Sequence, residues 1–261
     1  MLFTDHLNNS IELKAYPKRI VSLVPSQSEL LWDLGLHNEL VGITKFCIHP
    51  DNMFHSVERV GGTKQLNIEK IRALKPDLVI GNKEENEQEQ VRMLQKEFPV
   101  WMSDIYNLED ALKTITAIGG LCNKKEKATE IAESIHHSFK NINTIRKRVL
   151  YLIWKGPYMA AGRATFIGDM LNRIGLENAI ENPSSRYPEL SLEEIRSLKP
   201  QFVFLSSEPY PFKEKHISDL QEELPGTRII LVDGELFSWY GSRLLKSVTY
   251  FNELIREQLT H

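Results

Sequence analysis

Residues 68–80 read IEKIRALKPDLVI, and residues 192–204 read LEEIRSLKPQFVF. Seven of the thirteen positions are identical at one fixed offset of 124 residues. Each copy joins a run with helical apolar spacing to a lysine–proline step and then to a short apolar run. Proline cannot continue a helix, so the pattern predicts a helix that stops before Pro76 or Pro200 and feeds a strand buried on both faces. A unit used twice predicts two similar lobes, and a cleft between lobes is where small molecules bind.

The flanking sequence extends the alternation. Ile20, Val21, Leu23 and Val24 read as a buried strand stopped at Pro25. Ser26 is placed to cap the following helix with Glu29 three residues on, and Gly35 closes it. VGITKF reads as a second strand, residues 47–66 as an irregular stretch turning at Gly61-Gly62, EENEQEQVRMLQKE as an amphipathic helix and VWMSD as a strand. The second half supplies RVLYLIW, QFVFLSS and RIILVD as strands, with helices at TFIGDMLNRIG, HISDLQEEL and LLKSVTYFNELIREQL. Alternating strand and helix predicts an α/β fold, with parallel sheets covered by helices. The expected organisation is an N-terminal α/β lobe (1–106), a helical connecting segment (107–147) and a C-terminal α/β lobe (148–261). The connecting segment lacks proline and is interrupted only at Gly119-Gly120 and at the polar turn after Cys122. One long helix from Lys124 to Lys147 would span about 36 Å. A helical tie of that length predicts limited lobe closure.

Composition excludes several classes. The chain of 261 residues is 41% hydrophobic and 26% charged, a globular profile. A net charge of −3 provides no basic field for nucleic acid. No apolar run reaches the roughly 18 residues of a membrane span. The opening MLFTDHLNNSIELKAYPKR has no basic segment followed by an apolar stretch. Either an export signal precedes this chain, or the protein stays in the cytoplasm. Cys47 and Cys122 match no metal or CxxC spacing and are expected to be free, buried thiols. No P-loop, GxGxxG after a strand, HExxH or GxSxG is present, so no enzyme activity is expected.

On RIVSLVPSQSELL, VGITKFCIHP, LNIEKIRALKPDLVI with its second copy, and GRATFIGDMLNRIGLEN, the chain resembles the substrate-binding proteins of ABC importers that share a rigid helical backbone. Within that group it looks most like the cobalamin binders, with ferric-siderophore and haem receptors as the alternative. The resemblance covers residues 10–260. It implies two Rossmann-like lobes joined by one long helix, a ligand cleft between them, and a monomer that meets the membrane only through a permease. The location implied is periplasmic, or membrane-anchored outside the cytoplasm. A cytoplasmic corrinoid-handling protein is the reading from a different class. No intrinsic cofactor is expected; the ligand would be a corrinoid or an iron chelate.

The resemblance also implies roles for residues. Glu69 and Glu193, equivalent in the two copies, would dock onto permease arginines. Glu194 could share that role. First-turn glutamates are also favoured by the helix dipole alone. Ligand contacts are expected in loops at the strand ends: Pro25, Ser26, Phe46, His49 and Thr63 in the first lobe, and Trp154, Tyr158, Arg163, Arg186, Tyr187, Trp239 and Arg243 in the second. Phe46, Trp154 and Tyr187 match places where cobalamin binders put contact residues. Thr63 departs from the tryptophan that this branch can present there. Phe237 and Tyr240 join Trp154, Tyr158, Tyr187 and Trp239 as aromatics suited to a flat apolar ligand face. The arginines would instead suit an anionic siderophore, or pair with carboxylates such as Glu189 or Glu208. His49 is a candidate cobalt or iron ligand, with a structural loop histidine as the plainer reading.

Overall fold

The computed structural model describes residues 1–182 and 184–260. They form two compact units: residues 1–105, 109–136 and 240–245 in the first, and 106–108, 137–239 and 246 onward in the second.

The first unit begins with a hairpin of β1 (Leu2–Thr4) and β2 (Ser10–Glu12). It continues through β3 (Ile20–Ser22), α1 (Pro25–Asp33), β4 (Leu40–Ile43), α2 (Asp51–Ser56), β5 (Glu58–Arg59), α3 (Ile68–Leu74), β6 (Leu78–Asn82), α4 (Gln88–Gln95) and β7 (Val100–Ser103). Its sheet has the order β5-β4-β3-β6-β7, and every pairing in it is parallel. β3 and β6 are buried along their whole length, as their unbroken apolar runs require.

α5 (Leu108–Leu121) and α6 (Lys125–Lys140) follow. The expected break at Gly119-Gly120 does not occur, because α5 runs through both glycines. The polar turn does break the helix, with Asn123 at φ +56°. α6 has 16 residues and ends seven short of Lys147, so the single helix of about 36 Å is replaced by one of about 24 Å. The chain leaves the first unit within α6, after His136.

The second unit contains β8 (Lys147–Trp154), β9 (Tyr158–Ala160), α7 (Phe166–Arg173), β10 (Leu176–Asn178), β11 (Glu189–Leu190), α8 (Leu192–Ser197), β12 (Phe202–Ser206), α9 (Glu214–Glu223), β13 (Arg228–Val232), α10 (Gly234–Ser238) and α11 (Leu244–Leu254, its first two residues counted with the first unit). A π-helical turn, Ile255–Leu259, ends the described chain. Its sheet is mixed, not wholly parallel as expected. β8, β12, β13 and β10 pair in parallel, while β9 pairs antiparallel with both β8 and β11.

The two sequence copies are the same structure. α3 and α8 carry caps at equivalent positions, Asn67 accepting from the Lys70 N–H and Ser191 from the Glu194 N–H. Lys75 (φ +46°) and Lys199 (φ +47°) occupy the left-handed region just before the prolines. β6 and β12 follow at the same offset, both fully buried. The equivalence reaches outside the repeat. Arg19 donates through Nε to the Leu74 carbonyl at 2.7 Å, and Arg148 does the same to Leu198 at 3.1 Å. Each arginine's own N–H is received by the side chain that opens the next strand, Asp77 or Gln201. Arg72 and Arg196 then pair with Glu97 and Glu223.

Helix packing explains one glycine. A Cβ on Gly119 would stand 2.2 Å from the Ala128 Cβ, whereas one on Gly120 would meet nothing within 4 Å. Gly119→Ala is expected to cost about 1–3 kcal/mol by overpacking, and Gly120→Ala to add about 0.5–1 kcal/mol. Urea unfolding followed by circular dichroism checks both signs.

Candidate ligand-binding site

Loops after parallel strands are where such sheets bind ligands. In the first unit a buried polar network sets these loops. Ser103 Oγ at the end of β7 receives Gln27 Nε2 at 2.6 Å and Asn82 Nδ2 at 3.0 Å. Asn82 Oδ1 accepts the N–H groups of Glu84 and Glu85 at 2.8 and 3.1 Å, closing the turn after β6. Asn86 Nδ2 reaches the carbonyls of Leu23 and Thr63 at 3.2 and 3.1 Å, linking three loops. Cys47 lies in the same region, with Sγ 3.2 Å from Ser28 Oγ and 3.1 Å from Thr44 Oγ1. Burial pushes its thiol up to about 11 and that of Cys122 up to about 12, so neither is a ready thiolate. Both are free and buried, as expected.

The residues expected at this end divide. Phe46 is 50% exposed, with Lys45 Nζ 5.1 Å from its ring centre. His49 and Thr63 are half-buried in the adjoining loops. Pro25 and Ser26 are buried in the first turn of α1. Ser26 does not cap that helix: Val24 is the N-cap, with Pro25 at the first helical position, where its missing N–H costs nothing. Glu29 does not complete a capping box either, because its carboxylate serves Arg243.

Arg243, expected to face the ligand, is buried in that ion pair. Nε lies 2.8 Å from Glu29 Oε2 and Nη2 lies 3.0 Å from Oε1, with side-chain exposures of 8% and 6%. Both residues belong to the first unit.

In the second unit the expected residues fall into three groups. Trp154, 42% exposed at the end of β8, makes a T-shaped contact with Tyr210, ring centres 5.5 Å apart. Tyr158 begins β9 beyond the tight turn and is half-buried. Its hydroxyl pKa is raised by burial. Lys155 in that turn pairs with Asp219 at 2.8 Å. The second group surrounds Tyr106. Arg186 stacks 4.7 Å from its ring and 5.6 Å from that of Tyr187, and donates to the Ala164 carbonyl at 2.9 Å. Arg163 donates to the Asn178 carbonyl at 3.0 and 3.3 Å. A groove of about 910 Å³, lined by Tyr106, Asn107, Arg146, Arg163, Asp169 and Glu177 among others, lies here.

The third group is core. Phe237 is fully buried among Tyr151, Phe204, Tyr250 and Phe251. Trp239 is 6% exposed, and its indole N–H donates to Glu208 Oε1 at 2.9 Å. α10 explains both: the sequence read as a loop is helical, capped by Asp233. Tyr240 is also buried, but in the first unit. Sequence reasoning missed Tyr106, which only the Arg186 contact marks out.

Glu69 and Glu193 occupy the second position of α3 and α8, and both are exposed. Glu69 pairs with Arg72 on its own helix. Glu194 is occupied locally, its Oε2 accepting from the Ser191 N–H and hydroxyl at 2.7 and 2.8 Å.

With this geometry in place, known proteins identify the family. The Periplasmic binding protein family matches residues 20–229. The chain belongs to it. A similar protein is an uncharacterized ABC transporter substrate-binding lipoprotein, YvrC, of Bacillus subtilis, 27% identical over 96% of this chain and 84% of the relative. The vitamin B12-binding protein of Pectobacterium carotovorum is 24% identical over 88% of this chain and 86% of its own. Among solved structures, the periplasmic heme-binding protein RhuT from Roseiflexus sp. RS-1, in apo form, superposes with a TM-score of 0.76 at 21% identity, covering 90% of this chain and 98% of that one. The chain thus has the fold and the family of periplasmic binding proteins. Among the described residues no helix is long and apolar enough to cross a membrane.

Two variants test this arrangement. Arg243→Met leaves the Glu29 carboxylate buried without its partner and is expected to cost about 3–5 kcal/mol in chemical unfolding. Glu208 has a carboxyl pKa raised by burial. The folded protein therefore holds a proton that the unfolded chain releases near about 4.3. Its contribution to stability is complete below that value and is lost as pH rises through the folded pKa. Glu208→Gln keeps an acceptor oxygen for Trp239 without the titration. Its melting temperature relative to the parent is expected to be higher at about pH 7 than at about pH 4; equal differences at both would refute this account.

Proposed function

We propose that this protein is the solute-binding component of an ABC importer, that it works outside the cytoplasm, and that it carries cobalamin or a related corrinoid. The observation that carries the ligand reading is the pair of exposed aromatics after parallel strands, Phe46 at 50% and Trp154 at 42%. Large exposed rings suit a flat macrocycle face, and Trp154 is also packed against Tyr210. Tyr158 and Tyr187 would add contacts, with Thr63 and His49 from the first unit. The likeness to a vitamin B12-binding protein supports the same reading.

Of the three arginines an anionic siderophore would use, Arg243 is consumed by Glu29. Arg163 and Arg186 donate to backbone carbonyls and keep their charge and further N–H groups. A haem receptor is the second reading, favoured by His49 three residues after Phe46, since an imidazole can ligate iron. Glu69 and Glu193 would dock the permease. Their equivalent helix positions support the pairing, and such rim charges set orientation and on-rate more than affinity.

Titration with cyanocobalamin, haem and a ferric catecholate, followed by tryptophan fluorescence and calorimetry, tests the reading. Saturable one-to-one binding of cyanocobalamin is expected, weakened about tenfold or more by Trp154→Ala. Binding of haem alone would select the second reading, and binding of none would overturn both.

A further inference from the structure

Residues 240–245 belong to the first unit, although the chain on both sides of them belongs to the second. They are that unit's only described segment beyond His136. Of four consecutive residues, three make polar attachments and one passes close to the backbone of α1. The Tyr240 hydroxyl donates to Glu85 Oε1 at 2.5 Å. Gly241 passes so close to α1 that a Cβ on it would stand 2.3 Å from the Ser26 carbonyl oxygen. The Ser242 hydroxyl donates to Asp33 Oδ2 at 2.5 Å. Arg243 forks onto Glu29.

Three of the receiving residues, Ser26, Glu29 and Asp33, are spaced i, i+3, i+7, which places them along one face of α1. The fourth lies elsewhere. Glu85 sits in the turn after β6, whose amides Asn82 holds and whose Asn86 is bonded to the loops of Leu23 and Thr63. The segment is thus clamped to α1 by two polar attachments and one close backbone approach, and reaches one loop of the candidate ligand site through Tyr240. Tyr240 is 7% exposed, so its ring is held by packing with its hydroxyl on Glu85. Burial and the neighbouring Glu85 charge raise its pKa well above the ordinary tyrosine value, which keeps it a donor.

We propose that residues 240–243 are a strap that positions the ligand loops of the first unit, with Tyr240 as the positioning residue acting through Glu85. This rests on the binding function proposed above. α1 is the anchor, and Tyr240 transmits its position to the turn after β6 and so to Thr63.

The test is Tyr240→Phe in the full chain, which removes one oxygen and keeps the ring. Amide hydrogen exchange of residues 82–87 is measured on the ligand-free protein, with cyanocobalamin affinity and melting temperature alongside. The expected result is faster exchange in that segment, about tenfold weaker cyanocobalamin binding and an unchanged melting temperature. Unchanged exchange overturns the strap. Faster exchange with unchanged affinity overturns the positioning role. If the parent protein binds no cyanocobalamin or haem, the function reading fails, and the exchange measurement still judges the strap on its own. Glu85→Gln and Glu85→Ala guard against a misfolded variant: Gln keeps an acceptor and is expected to retain parental exchange, while Ala is expected to reproduce the Tyr240→Phe pattern. Parental exchange in Glu85→Ala overturns the strap as well.

Discussion

In each unit a short helix ends on a lysine held in left-handed conformation, a proline follows, and the chain enters a strand buried on both faces. The left-handed step costs roughly 1–2 kcal/mol for a residue with a side chain. Burying five residues of strand between two neighbours outweighs that cost. The exposed carbonyls at the helix end are not left to solvent either, since Arg19 and Arg148 each donate to one of them from the adjacent strand. This junction fixes the angle between helix and sheet in both units. It also sets where the carboxyl ends of the strands lie.

From those ends the candidate site follows by different means in the two units. The first unit orders its loops with amides and hydroxyls: Asn82, Asn86, Gln27 and Ser103 bind one another and the backbone of neighbouring loops. Each buried polar group in such a network is expensive to leave without a partner, and among the described residues Gln27 Oε1 is one that has none. The second unit orders its loops with rings and an edge hairpin. β9 turns back on β8, so that one edge of the sheet is antiparallel there, and this pairs Trp154 with Met159, the neighbour of Tyr158. Tyr210 packs against Trp154 in an edge-to-face contact.

Much of this was legible in the sequence. The repeated helix–strand unit, its caps and the parallel strands follow from local chemistry: apolar runs, proline, and an asparagine or serine before a helix. Their determinants lie within a few residues of one another. The Arg19–Arg148 equivalence was written as Lys-Arg before each strand, yet it escaped because its offset differs from that of the repeat. The break between α5 and α6 was legible as a polar turn. The apparent break at Gly119-Gly120 was misleading, since Gly119 serves a close helix contact and leaves the helix intact.

Three assignments needed tertiary structure, and the reason is common to them. Glu29 has capping-box spacing from Ser26, but a charge more than 200 residues away binds it instead. Phe237 and Trp239 sit in a segment of loop-like composition that the core claims as helix. Tyr240 to Arg243 read as second-lobe residues and fold with the first. The sequence by itself determined the elements and their duplication, because helix, turn and buried strand are decided by neighbours. Only the tertiary structure decided which arginines and aromatics stay exposed, because burial depends on partners that sequence proximity does not reveal.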